Sequence, residues 1–301
     1  FAAICGITQD ELCGQMAPDV DALAAALDTT PTETLARLKA NYDGYHFSEG
    51  SPDIYNPFSL LSSFASGKIA SYWFGSGTPT GLINLLQESN WEISDLERRE
   101  ADEDEFDAPT EDMPTPLPML YQAGYLTIKS YDPLTCSYTL GIPNAEVARG
   151  FSKSLVRRAA GAQVGEFNGL VRTISRSLRA HDMEGALQAT KAFMAGMPYH
   201  LGSHSERGFQ TTFWLIFTLL GAQIETEVKT ATGRVDAVVK APDAIYVVEF
   251  KYEKSAQEAL AQIDERGYLL PYAADGRKLY KVGVNFSEKT QTIGEWIIEE
   301  G

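Results

Sequence analysis

The chain has 301 residues, of which 41 are acidic and 25 are basic, and its formal net charge at pH 7 is −16. Hydrophobic residues make up 44% of it. Burial of that much apolar surface can offset the entropy of ordering, which excludes a disordered or collagen-like chain. The longest apolar run covers residues 213–222, well short of the about 18 residues of a membrane span. The acidic balance also argues against a basic face for nonspecific DNA binding.

The beginning of the chain and its cysteines bear on where the protein works. The first six residues, FAAICG, lack the basic region of a signal peptide and do not start with Met, so we expect a piece of a longer protein. Cys5, Cys13 and Cys136 are odd in number and widely spaced, which argues against a disulfide framework or a thiolate zinc site. We therefore predict a cytoplasmic protein with reduced cysteines.

The first part of the chain is predicted to be mainly helical. Thr8 and Thr30 each precede a glutamate by three residues, a pattern typical of a capped helix start. Asn56 followed by Pro57 predicts a further helix start. Residues 97–118 are acidic and then rich in proline, which favours a solvated connector.

Beyond this segment the hydrophobic pattern changes from helices to strands. Residues 245–248 are apolar in succession, which is typical of a central strand buried on both faces. The predicted elements are a hairpin over 121–128 and 137–140, helices within 145–200, a helix over 206–220, strands over 224–229, 235–240 and 244–250, a helix over 255–268, and strands over 279–286 and 296–298.

Three charged residues near the ends of two neighbouring strands suggest chemistry. Side chains two apart on a strand point the same way, so Glu249 and Lys251 share a face. A hairpin-like pairing of the two strands brings Asp236 beside Glu249. Two adjacent carboxylates repel unless a cation lies between them, and oxygen ligands favour Mg²⁺. Such a site, with a lysine holding water or phosphate, suits hydrolysis of a phosphodiester.

The same residues also allow an ordinary structural interpretation. A Glu-x-Lys sequence at a strand end is common, and acids on two strands are usual surface features. The order of the acid, the Glu-x-Lys sequence and a following helix with Gln262 favours the catalytic interpretation.

These motifs together resemble the PD-(D/E)XK nuclease superfamily, and most of all the branch fused behind an AAA-ATPase-like domain in bacterial proteins. The C-terminal motifs that carry the resemblance are GRVD at 233–236, YVVEFK at 246–251, ALAQI at 259–263 and VGVNFS at 282–287. The N-terminal motifs are NYDGYHF at 41–47, YNPFS at 55–59, GYLTI at 124–128 and PNAEV at 143–147.

The resemblance implies an α/β (α+β) chain in three parts. Residues 1–160 would be the C-terminal, helical, lid-like part of an AAA-ATPase-like domain. Residues 161–200 would form a helical connector. Residues 201–301 would form a restriction-endonuclease-like αβββαβ domain with a mixed central sheet.

The resemblance also implies roles for individual residues. Asp236 and Glu249 become ligands of Mg²⁺ or Mn²⁺, and Lys251 becomes the catalytic lysine. Glu206 matches the extra acidic ligand of the superfamily, and Gln262 matches a glutamine that supports the site or contacts substrate. Tyr268 follows Gln262 by six residues, about 600° of helix, so the two do not share one face. We therefore expect Tyr268 to pack in the core.

The resemblance leaves the partners partly open. The expected partner is DNA or RNA, and Arg234 would either contact phosphate or pair with a nearby acid. No P-loop sequence occurs, so ATP would bind only through a region upstream of this chain. The alternative function is a non-catalytic binding or regulatory module that keeps the nuclease scaffold.

Overall fold

In a computed structural model, the chain divides into two compact units, Phe1–Ser154 and Leu155–Gly301. The structure describes residues 4–73, 82, 99–108, 115–159, 164–196, 216, 223–230, 233–287, 289–290 and 292–301. Within these residues, no helix combines the length and the apolar character that crossing a membrane requires.

The first unit begins with capped helices around a buried cluster. Thr8 and Thr30 each form the predicted capping box with the glutamate three residues on, and the Asn56 side chain accepts from Ser59 N. All three predicted starts are confirmed. The elements are β1 (Ile7–Thr8), α1 (Gln9–Gly14), α2 (Ala17–Ala26), α3 (Pro31–Tyr42), β2 (Ile54–Tyr55) and α4 (Pro57–Ser66). The buried cluster consists of Leu12, Val20, Leu23, Leu38, Tyr42, Tyr55 and Leu60.

Residues 99–106, in the region predicted as a solvated connector, form a short strand and a short helix, so that prediction was wrong for these residues. Ala101 and Phe106 are buried, and the Phe106 ring packs edge-on against Tyr121 and Tyr138. Burial of these two apolar residues anchors the acidic segment. The elements are β3 (Arg99–Ala101), α5 (Glu103–Phe106), α6 (Leu117–Gln122), β4 (Thr127–Asp132) and β5 (Ser137–Gly141), with strand order β3-β5-β4. The predicted hairpin is therefore present, but residues 121–122 end a helix.

The second unit contains a five-stranded sheet in the order β10-β9-β8-β7-β6. Only β8 and β9 are parallel, and the other neighbours in this sheet are antiparallel. The mixed α/β fold predicted from the sequence is thus confirmed. The helix α7 (Ala145–Ala159) precedes α8 (Val164–Arg179), α9 (Met183–Ala195), β6 (Gln223–Thr230), β7 (Gly233–Lys240), β8 (Ala244–Tyr252), α10 (Ala256–Arg266), β9 (Lys278–Ser287) and β10 (Thr292–Glu300).

Helices cover both faces of this sheet. Residues of α8 and α9, expected to form a connector, share a buried cluster with Tyr246, Val248 and Phe250 of β8. On the other face, Leu260 and Ile263 of α10 form a cluster with Ile245 and Val247. Because β8 is covered on both sides, its apolar residues run in succession rather than alternating.

Candidate active site

The pairing of β7 with β8 brings Asp236 next to Glu249. The antiparallel ladder pairs Ala237 with Val248, and Asp236 and Glu249 are the next residues along the two strands. The main-chain N–H of Phe250 donates to Asp236 Oδ2 over 2.8 Å. Asp236 is therefore bonded to the backbone of the strand that carries Glu249.

Glu249 is almost completely buried, with 2% of its surface exposed. Its Oε1 accepts from Lys251 Nζ over 3.2 Å and from Gln262 Nε2. Phe250 points to the other face of the sheet, into the cluster beneath α8 and α9. There its ring packs against Phe286 at a ring-centroid distance of 5.2 Å. This alternation is the one expected for neighbouring residues of a strand.

The two carboxylate oxygens of Glu249 differ in their hydrogen bonding. Among the residues that the structure describes, Glu249 Oε2 is buried and has no hydrogen-bond partner. Burial and the nearby charge of Asp236 raise the pKa of Glu249 to about 7, although Lys251 acts in the opposite direction. The site therefore disfavours two ionised carboxylates unless a further positive charge is present.

Gly283 allows α10 to approach the sheet closely enough for Gln262 to contact Glu249. Gly283 pairs with Glu249 in the parallel ladder of β8 and β9. A Cβ atom at Gly283 would overlap the main-chain oxygen of Ala256 and would lie 3.0 Å from Leu260 N. The missing side chain thus lets the helix backbone lie directly against the strand, as glycine within a strand often does.

The donor set fits a divalent cation. Asp236 and Glu249 supply carboxylate oxygens, and Glu249 Oε2 is an acceptor that receives no hydrogen bond from the described part of the chain. Mg²⁺ is commonly held by one or two carboxylates, with waters and substrate phosphates completing its coordination. In the part of the chain that the structure describes, no three His, Cys, Asp or Glu side chains are grouped to hold a metal. Glu206, the predicted third acid, lies outside the described residues.

Tyr268 has the structural role that its spacing predicts. It is buried in the cluster beneath α10, and its hydroxyl donates to the main-chain oxygen of Arg234 over 2.8 Å.

The sequence analysis missed the part played by Gly283 in placing the helix, although a glycine between two valines of a strand is a signal for close backbone approach.

Comparison with known proteins supports the C-terminal part of the resemblance seen in the motifs. Residues 204–296 match the family model of the PD-(D/E)XK nuclease superfamily. The second unit thus contains a domain of this superfamily, and its mixed sheet with flanking helices is consistent with a restriction-endonuclease-like fold. Nucleases of this superfamily generally use divalent metal ions, usually Mg²⁺ or Mn²⁺.

A relative extends the similarity over the rest of the chain. The chain is 29% identical over 315 aligned residues to the "Uncharacterized protein in vnfD 5'region" of Azotobacter chroococcum mcd 1. The alignment covers 99% of this chain and 57% of that protein, so the chain spans little more than half of the relative's length. No solved structure matches the chain. The ATPase-like character of residues 1–160 stays a prediction.

Proposed function

We propose that the second unit is a metal-dependent nuclease that hydrolyses phosphodiester bonds of DNA or RNA. The observation that carries the proposal is the buried Glu249, which shares a site with Asp236, Lys251 and Gln262 and has one oxygen that accepts from none of the described residues. The superfamily match at residues 204–296 supports the same reaction class.

In this proposal Asp236 and Glu249 hold Mg²⁺ or Mn²⁺, with Glu206 as an additional ligand. A divalent cation there lowers the pKa of water and neutralises charge that develops on phosphate. The hydrogen bond from the main-chain N–H of Phe250 fixes the Asp236 carboxylate. The hydrogen bond from the Gln262 amide orients the Glu249 carboxylate.

Lys251 is proposed to position the attacking water or the phosphate. Only 17% of its side chain is exposed, and its ammonium has donors beyond the one directed at Glu249. Hydrolysis adds the water oxygen to phosphorus and breaks a P–O bond, so one product keeps the phosphate and the other gains a hydroxyl.

A cytoplasmic location and an ATP-binding region upstream of this chain belong to the same proposal.

Cleavage of labelled DNA and RNA by the full chain, with Mg²⁺ or Mn²⁺, tests the proposal. We expect Asp236→Asn and Lys251→Ala to abolish cleavage while the circular dichroism spectrum stays unchanged. The matched controls are Glu300→Gln and Lys278→Ala, which change exposed residues of the same sheet. Equal cleavage by the site variants and the controls would contradict the catalytic role. Metal binding without cleavage would favour the non-catalytic module.

A further inference from the structure

A cavity of about 450 Å³, open to the surface and lined mostly by exposed residues, lies beside the candidate active site. Its walls come from the start of β7, at Gly233 and Arg234, and from α10, including Gln262 and Arg266. Gln262 also donates to Glu249. A molecule in the cavity would therefore contact the residue that orients the proposed metal ligand.

The wall formed by β7 is held in a fixed position. Tyr268 is one of the lining residues, and its hydroxyl donates to the main-chain oxygen of Arg234. A Cβ atom at Gly233 would lie 2.9 Å from that hydroxyl, so only glycine leaves this edge unobstructed. The cavity is thus built from packed elements rather than from a surface loop.

The lining carries charges of both signs. Arg234 and Arg266 contribute guanidinium groups, and Glu258 and Glu265 contribute carboxylates. The Glu258 carboxylate already accepts from Ser255 N at the helix start. Arginine offers five N–H donors, so one guanidinium can contact an acid and a phosphate at the same time.

A nucleotide unit matches this mixed lining better than a simple anion does. Its phosphate accepts hydrogen bonds from arginine, and its sugar and base offer donors to a carboxylate such as Glu265. The cavity volume falls in the usual range for small ligands, about 300–1,000 Å³, which is enough for one nucleotide.

We propose that this cavity is a subsite for the nucleotide next to the cleaved bond, with Arg234 and Arg266 contacting its phosphate. The proposal rests on the nuclease function proposed above. It assigns to the two arginines a role in binding substrate and not in the chemical step.

Fluorescence anisotropy of a fluorescein-labelled single-stranded DNA, titrated with the full chain in EDTA, tests this subsite. We expect Arg234→Ala and Arg266→Ala each to weaken binding about tenfold, and the double variant to reduce the slope of log K against log salt by about 0.7, the value for one phosphate contact. Arg277→Ala is the matched control, because Arg277 donates hydrogen bonds to Asp275 and to the main-chain oxygen of Ala241, outside the cavity. The Arg277→Ala variant should bind the DNA with wild-type affinity.

The variants also separate this subsite from the nuclease proposal. Asp236→Asn should retain DNA binding in EDTA while losing cleavage, and Arg234→Lys should bind with intermediate affinity because it keeps the charge but loses the planar fork. If the wild-type chain cleaves DNA and both arginine variants bind like the control, the subsite is wrong and the nuclease proposal stands. If the wild-type chain neither binds nor cleaves DNA or RNA, both proposals are wrong.

Discussion

The side-chain amide of Gln262 on α10 donates to the same oxygen of Glu249 that accepts from Lys251. Two donors therefore converge on Oε1, while Oε2 is buried and receives no hydrogen bond from any other residue that the structure describes. This division leaves one carboxylate oxygen oriented and the other available, which is the arrangement that a metal ligand with a supporting residue requires.

Replacing Gln262 should weaken the site without unfolding the domain. Gln262→Ala removes one of the two donors to Glu249, so we expect metal affinity or cleavage to fall by about 10–100-fold, as for other residues that orient metal ligands. Calorimetric titration with Mn²⁺ and a cleavage assay measure the two effects. Gln257→Ala, at an exposed position of the same helix, is the control. An effect of Gln262→Ala no larger than that of Gln257→Ala would contradict the role of Gln262.

The raised pKa of Glu249 predicts a pH dependence of stability in the metal-free protein. Because the folded-state pKa of about 7 exceeds the ordinary value near 4.5, the folded state binds the proton more tightly than the unfolded state does. The free energy of unfolding should therefore fall as the pH rises from about 4.5 to about 7, by on the order of 2–3 kcal/mol from this group.

Glu249→Gln separates this contribution from that of other titrating groups. Urea unfolding in EDTA should show that the difference between wild type and variant grows across this pH range, with the wild type losing stability relative to the variant. Added Mn²⁺ should reduce the loss, because a bound cation favours the charged carboxylate. Parallel pH profiles for the two proteins would show that Glu249 titrates normally.

A side chain at Gly283 should push α10 away from the sheet. Gly283→Ala places a Cβ against the backbone of Ala256 and Leu260, so we expect a loss of about 1–3 kcal/mol in the free energy of unfolding. Because Gln262 lies on the displaced helix, cleavage should also decrease. Gly169→Ala on α8 is the control, since no described residue beyond its chain neighbours and the backbone of its own helix comes within 4 Å of its Cβ position and a helical alanine is favoured. Equal stabilities of the two variants would contradict this packing argument.

Tyr268 should matter for stability and little for chemistry. Tyr268→Phe removes the donor to the Arg234 oxygen, at an expected cost of about 1 kcal/mol in the free energy of unfolding. The cleavage rate at saturating substrate should stay near the wild-type value, as measured in the same nuclease assay. A large loss of rate with unchanged stability would instead place Tyr268 in the reaction.

The sequence was most informative where periodicity and packing agree. The apolar run of β8 predicted a strand covered on both faces, and its alternation placed Glu249 and Lys251 on one side of Phe250. The acidic segment around Phe106 was predicted less well, because its order depends on contacts with Tyr121 and Tyr138. Local composition does not record such distant contacts.

The candidate site was predictable in its residue types but not in its geometry. The motifs indicated Asp236, Glu249, Lys251 and Gln262, yet the convergence of two donors on one oxygen of Glu249 depends on how closely α10 approaches β9. That approach is set by Gly283, whose importance becomes visible only once the helix and the strand are in contact.

Calorimetric titration of the metal-free full chain with Mn²⁺ tests the central claim most directly. We predict that the wild-type protein binds Mn²⁺, that Asp236→Asn and Glu249→Gln abolish the binding heat, and that Glu300→Gln leaves it unchanged. Equal Mn²⁺ affinity in the wild type and in both site variants would contradict the claim that Asp236 and Glu249 form a metal centre.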